Sequence, residues 1–280
     1  MSRVYRALEK AEKEKHQKVK EEPLSAIFEE EIISREQLPT QKFLEVDVEE
    51  VGGPSREDFP FLIAQPNSFA AEQFRKLKTH IFLHAPHPPH SILITSAVPQ
   101  EGKTTVAMNL AVAISQEIHK TAILIDADLR MPSIYLKNFE NSKGLANYLV
   151  DQVPLEEILI NSGKENLRII PAGKPSSKAA ELIGSGKMAE LMTSLREFGE
   201  DTYLIIDSPP VLSTSEPILL SKMVDGVILV IMAECTPRGA IRKGINSFDK
   251  QKILGVVFNQ KELKPSKHYS EYYYRYYKNK

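Results

Sequence analysis

The chain has 280 residues, 42% of them apolar and 26% charged, which is the balance of a globular protein long enough for one medium-sized α/β core with appended segments. Thirty-six Lys and Arg against 37 Asp and Glu leave a net charge of −1, so no whole-molecule attraction to nucleic acid or anionic lipid is expected. The single cysteine, Cys235, excludes an internal disulfide framework and a cysteine-based zinc site.

Cys235 closes the run GVILVIMAEC, which predicts a buried, inert thiol. No apolar run approaches the roughly 18 residues that span a bilayer, and the opening MSRVYRALEKAEKEK lacks the apolar centre of a signal peptide. A cytoplasmic protein is expected, with any membrane contact indirect and made through a partner.

The first 22 residues are charged helix formers with a thin apolar stripe at Val4, Leu8 and Ala11. They read either as a solvated helix or as a docking segment. Residues 23–66 carry acidic runs (EEEII, EVDVEEV), Pro and Gly without a sustained period, which is the composition of a poorly ordered linker. From Asn67 the pattern changes. Ala70, Phe74, Leu77 and Ile81 fall at helical spacing and predict an amphipathic helix over 68–84, capped by Asn67 or Ser68 and ended by Pro86, Pro88 and Pro89.

Strands and helices then alternate. Short Val/Ile/Leu runs predict strands over 91–95, 121–126, 166–170, 203–207, 226–232 and 253–258. Helices are expected over 104–118, near 144–150, and over 178–197, 215–222 and 238–250. The fold class is α/β, with a mostly parallel sheet covered by helices on both faces. In such sheets ligands bind beyond the carboxyl ends of the strands. The organisation expected is an N-terminal segment, 1–66, an α/β domain, 67–262, and a tail, 263–280.

Directly after the first strand stands AVPQEGKT (97–104), a phosphate-loop pattern with Ala97 in place of the first Gly. A Gly there would tolerate backbone angles that Ala does not. In a strand–loop–helix context Pro99, Gln100, Glu101, Gly102 and Thr105 line the phosphates of ATP, and the backbone N–H groups of all but the proline face them at a helix N-terminus. Lys103 neutralises the β/γ oxygens, and the Thr104 hydroxyl is a magnesium ligand.

Asp126 and Asp128 end the second strand (ILIDADLR) and point to one side. Asp207 closes another apolar strand (YLIIDSPP). With Thr104, Asp128 and Asp207 are the candidate Mg2+ residues, and Lys103, Asp126, Asp128 and Asp207 the candidate catalytic ones. Arg130 reads as a salt-bridge partner of the Asp pair or as a phosphate contact. Asn259, after the last strand, is either an adenine contact at the same rim or a turn residue.

The terminal segment KHYSEYYYRYYKNK holds six of the ten tyrosines: Tyr269, Tyr272, Tyr273, Tyr274, Tyr276 and Tyr277. No strand or helix period organises them. A single-strand nucleic-acid binder, a sticky partner-binding tail and a cluster of phosphate acceptors all fit this composition. Beside an ATP site without a second substrate domain, the acceptor reading leads, and nucleic acid is not expected as a partner.

Four stretches together resemble the bacterial tyrosine kinases that control capsule and exopolysaccharide synthesis: SAVPQEGKTTVAMNLA (96–111), ILIDADLRMP (123–132), LIIDSPP (204–210) and the tyrosine cluster. PAGKPSSKAAELIGSGKMAELM (171–192) is also similar, so the resemblance covers about residues 66–280. It implies that Lys103 and Thr104 hold phosphate and magnesium. Asp126 and Asp128 would order the ion and accept the incoming tyrosine's proton, with Asp126 the candidate acceptor, and Asp207 would complete the acidic set. Glu72, Arg75 and Lys78 resemble a Glu-x-x-Arg-x-x-Arg pattern used for ring-shaped self-assembly. Lys replaces the last Arg here, and Lys cannot make the bidentate fork. A homo-oligomer and a separate membrane-embedded polysaccharide co-polymerase as activator are the implied partners.

A partitioning or division-site switch ATPase shares the fold and the acidic motifs. Those proteins carry a second lysine where this chain has Val98, and their membrane-binding members end in an amphipathic helix instead of tyrosines. A nucleotide-sensing scaffold whose tail only docks is the third reading.

Overall fold

The structure is a computed structural model, and it describes residues 68–84, 88–134, 143–164 and 166–260. The expectations for the N-terminal segment and for the tyrosine cluster lie outside the described residues.

Helix α1 (Phe69–His84) opens at Ser68, whose Oγ accepts the Ala71 N–H at 3.1 Å and so decides the cap. Its apolar face, Phe74, Leu77 and Ile81, packs with helix α2 (Lys103–Ser115). Between them runs strand β1 (Ser91–Ser96), buried along its whole length. Strand β2 (Thr121–Asp126) follows, then helices α3 (Leu145–Asp151) and α4 (Leu155–Ile158), and strands β3 (Ile160–Asn161) and β4 (Leu167–Ile170). Helices α5 (Ala179–Ile183) and α6 (Gly186–Arg196) lead to strand β5 (Thr202–Asp207). Helix α7 (Glu216–Ser221), strand β6 (Gly226–Met232), helix α8 (Arg238–Asn246), a 3-10 turn (Lys250–Lys252) and strand β7 (Ile253–Asn259) complete the order.

The strands form one sheet in the order β3-β4-β2-β5-β1-β6-β7. All neighbours are parallel except β3, which runs antiparallel to β4 at the edge. Alternate residues feed two cores. Leu93, Ile123, Ile125, Leu204 and Ile206 face α5, α6 and α7, while Ile92, Ile94, Leu124 and Ile205 face α1 and α2. Such double coverage explains why the strands read as continuous apolar runs. The register sets Asp207 beside Asp126 on one side and Ile94 on the other, so β2 and β5 finish level while β1 runs two residues further, to Ser96. That carboxyl edge carries the site.

Three details depart from the expectations. The helix expected over 178–197 is two helices, because Ser185 sits in extended conformation and its Oγ accepts the Met188 N–H to start α6 afresh. The helix expected over 238–250 ends at Asn246, and Asp249 caps a separate 3-10 turn. Cys235 is exposed, not buried, because β6 stops at Met232 and the thiol falls in the turn beyond it. The elements α4 and β3 are too short to leave a period in the sequence.

Candidate active site

Strand β1 delivers the chain to the carboxyl edge, residues 97–102 turn, and α2 begins at Lys103. Left-handed backbone falls at Gln100 (φ 66°) and Gly102 (φ 82°), and Ala97 is not among the positive-φ residues. Ala at 97 therefore strains nothing, and the position that asks for glycine is 100. Gly102 offers no side-chain cap to α2 and the first turn carries no acidic residue, so the helix N-terminus is left to accept an anion.

Two pairs converge beside it. Lys103 Nζ lies 3.5 Å from Asp128 Oδ2, and the Thr104 hydroxyl donates to Asp207 Oδ2 at 2.6 Å. Asp126 is fully buried; its Oδ1 accepts the Asp128 N–H at 3.1 Å, and its Oδ2 accepts those of Ser133 and Ile134 at 3.1 and 3.0 Å. Asp128 Oδ1 accepts the Met131 N–H at 3.0 Å. The acidic loop thus winds around its own carboxylates.

Burial pushes the Asp126 carboxyl up to about 7, with the neighbouring Asp207 charge adding to it against the three backbone bonds. Burial likewise raises Asp207, opposed by Lys103 and Thr104. Lys103 shows the reverse balance: burial disfavours its charge, but Asp207, Asp128 and Asp126 together outweigh that and hold it above its ordinary value. Three buried carboxylates around one ammonium leave the site short of positive charge.

That shortage, with a buried Asp207 Oδ1 that has no hydrogen-bond partner, fits a hydrated divalent cation. Among the described residues no three His, Cys, Asp or Glu side chains form a metal cage. Magnesium does not need one when phosphate oxygens and water complete its shell.

Other expectations resolve differently. Asn259 is the last residue of β7, not a turn residue, and its Nδ2 donates to the Glu101 carbonyl at 3.0 Å. A Cβ on Gly102 would come within 2.0 Å of that nitrogen, so glycine leaves room for the Asn259 side chain to lie against the loop. Arg130 does not brace the Asp pair. Its Nε donates at 2.6 Å to Glu216, which is fully buried on α7. Burial works against that carboxylate's charge, and the Arg130 bond, smaller local hydrogen bonds and the Arg130 charge together outweigh it and hold the group below its ordinary value. On α1, Glu72 pairs with Arg75 at 2.8 Å, whereas Lys78 is buried and its ammonium is paired with Glu117. Lys78 therefore is not on a solvated face.

Sequence reasoning missed what Gln100, Glu216 and the Glu101 side chain do. Gln100 could have been suspected only from a turn needing φ > 0; the other two depend on contacts across the chain.

Residues 97–253 match the AAA domain family. Over 216 residues the chain is 36% identical to the tyrosine-protein kinase YwqD of Bacillus subtilis, spanning 76% of this chain and 89% of that one. It belongs to the bacterial tyrosine-protein kinase family. The putative tyrosine-protein kinase CapB of Staphylococcus aureus is 31% identical over 76% of the kinase and 92% of CapB. Among solved structures, the chimerical protein CapA2B2 superposes with a TM-score of 0.66 at 31% identity, covering 71% of the kinase and 88% of that chain. The VpsO kinase domain gives 0.59 at 32% identity, covering 70% and 100%. The chain is thus an ATP-binding protein-tyrosine kinase built on a P-loop fold.

Proposed function

We propose that this kinase phosphorylates the tyrosines of its own C-terminal cluster, Tyr269, Tyr272, Tyr273, Tyr274, Tyr276 and Tyr277, using ATP and Mg2+ bound at the phosphate loop. The observation that carries the reading is the convergence of Lys103 with Asp128 and of Thr104 with Asp207 at one uncapped helix N-terminus. Residues 67–262 supply the catalytic domain and 263–280 the acceptor.

The backbone N–H groups of Gln100, Glu101, Gly102 and Thr105 receive the phosphates, and Pro99 shapes the turn. Lys103 leaves Asp128 for the β/γ oxygens, where its raised pKa keeps it charged. Thr104, Asp128 and Asp207 would hold magnesium, which would supply charge neutralisation to the phosphoryl oxygens. Asn259 braces the loop and meets the edge of the base from the same rim.

A tyrosine hydroxyl, with a pKa of about 10, loses its proton as its oxygen bonds to the γ-phosphorus and the bond to the bridging oxygen of ADP breaks. Asp126 takes the proton. Its carboxyl stands near the operating pH at about 7, where a general base is most effective. Of its two oxygens, Oδ1 accepts one backbone bond and Oδ2 two, so Oδ1 has the capacity left for the tyrosine proton.

Transfer between subunits of a homo-oligomer fits a tail at the end of the chain. Glu72 and Arg75 are the contacts assigned to a ring, and Lys78, already paired with Glu117, is assigned to the fold of the protomer. Among the described residues no helix is long and apolar enough to cross a membrane. We assign the kinase to the cytoplasmic face of the membrane through a separate co-polymerase, and its output to capsule or exopolysaccharide synthesis. The names CapB and CapA2B2 of its relatives support that assignment.

Purified protein incubated with ATP and Mg2+, then analysed by mass spectrometry over residues 267–280, tests the acceptor. Phosphotyrosine there that is absent in Lys103→Met is the expected result. Release of ADP without phosphotyrosine would replace the autokinase with a switch ATPase, and neither product would leave only a nucleotide-sensing scaffold.

A further inference from the structure

Glu101 presents a paradox. It stands one residue before Gly102 and Lys103 in a loop built to receive phosphate, yet it is a carboxylate and almost completely buried, at 1% exposure. Its charge, at that place, works against the binding of a polyanion. Its bonds explain why it is there. Asp128 and Asp207 pair with Lys103 and Thr104 at the start of α2, whereas Glu101 reaches the far end of β6. Its Oε2 accepts the Val98 N–H at 2.8 Å, fixing the entry to the phosphate loop. Its Oε1 accepts the Thr236 hydroxyl, and also the Met232 N–H at 3.3 Å. The Met232 N–H is shared with Thr236 Oγ1 at 2.9 Å. The Glu101 carbonyl in turn accepts from Asn259 Nδ2 at 3.0 Å. One residue therefore joins the loop to the ends of β6 and β7 and to the turn that starts α8.

We propose that the Glu101 side chain is a positioning group: it holds the phosphate loop in its anion-receiving shape by tying Val98 to Met232 and Thr236, and the carboxylate itself touches no substrate. The inference rests on the phosphate-loop reading of this site and deepens it. The loop needs such a tie because it runs through left-handed backbone at Gln100, a residue without glycine's freedom. Each of the three donors belongs to a different stretch of backbone or side chain, so a single carboxylate replaces three separate local bonds. A neutral amide of the same size keeps one acceptor, enough for the Val98 N–H, but turns its NH2 toward the Met232 N–H and the Thr236 hydroxyl, so the Met232 bond is lost and the Thr236 bond must reverse.

Charge and geometry predict opposite signs, which makes the proposal testable. Glu101→Gln removes a negative charge beside the triphosphate and, on charge alone, would tighten nucleotide binding. The positioning role predicts the reverse: the dissociation constant for ADP, measured by titration calorimetry with the full chain, rises by roughly tenfold to a hundredfold. Thr236→Val, which removes one donor far from the phosphates in sequence, weakens ADP binding in the same direction by a smaller factor. Combined with Glu101→Gln it adds less than its separate effect, because both break one network. Thr236→Ser restores the hydroxyl and the affinity. Thermal melts of each variant without nucleotide keep folding separate from binding.

If Glu101→Gln is too unstable to titrate, the Thr236 pair decides: Val weakened and Ser restored sustains the proposal. Glu101→Gln binding ADP as tightly as the parent or more so, or Thr236→Val indistinguishable from Thr236→Ser, overturns it. Failure of the parent protein itself to bind ADP would instead strike the phosphate-loop reading, so the two failures are distinguishable.

Discussion

The two edges of the sheet treat buried and half-buried carboxylates in opposite ways. At the amino edge, Asp225 is 37% exposed in its side chain and fully engaged: Oδ2 accepts the N–H groups of His90 and Ser91 and the Ser91 hydroxyl, and Oδ1 accepts Arg196 at 2.8 Å. At the carboxyl edge, Asp207 is fully buried, stands beside Asp126 in the register, and leaves Oδ1 without a partner. The first arrangement joins β1, β6 and α6 and stabilises the fold. The second costs stability until a ligand arrives, which is what a binding site built at the expense of local satisfaction looks like.

Four substitutions break or sharpen this contrast. Lys103→Met has the largest effect: tail phosphorylation falls by about a thousandfold or more, read by anti-phosphotyrosine blot, while circular dichroism shows a retained fold. Asp225→Ala acts on the other edge. It lowers stability by about 2–3 kcal/mol, seen as a melting point lower by several degrees, with ADP affinity unchanged in the folded protein.

Asp207→Asn inverts the usual sign. Asp207 and Asp126 both have raised pKa values, so the folded protein holds more protons than the unfolded chain between the ordinary carboxyl value of 3.8 and about 6 to 7. Their contribution to stability is therefore lost as pH rises through that window. Without nucleotide, the variant melts higher than the parent at pH 8, by roughly 1–2 kcal/mol, and the two converge at pH 4. A variant less stable than the parent at pH 8 would contradict the strained edge. The smallest effect is at Gln100. Gln100→Gly relieves a left-handed residue and stabilises by about 0.5–1 kcal/mol, measured by urea denaturation.

Much of this edge was legible from residues alone. Apolar runs ending in Asp126 and Asp207 announced parallel strands with acid at their carboxyl ends, and Gly-Lys-Thr between strand and helix announced the anion site. Those signals are local. What stayed hidden depends on where distant segments meet. Glu216 reads as an ordinary first-turn acid until Arg130 is found against it, and Glu101 reads as a phosphate-loop residue until Thr236 is found across the sheet. Lys78 sits on a helix whose polar face looks solvated until Glu117 closes over it. Cys235 misled because an apolar run does not say where its strand ends. Ser185 could have been read as a fresh N-cap, since Ser and Gly adjoin inside an otherwise helical pattern.

The central claim is that ATP and its divalent ion sit where β1, β2 and β5 finish, on the corner made by Gly102, Lys103 and Thr104. A crystal structure of the kinase with Mg2+ and a non-hydrolysable ATP analogue tests it most directly. The account predicts Lys103 moved from Asp128 onto the β/γ oxygens, and the Thr104 hydroxyl turned from Asp207 to the metal. A nucleotide found away from this corner, with both pairs still closed, would contradict it.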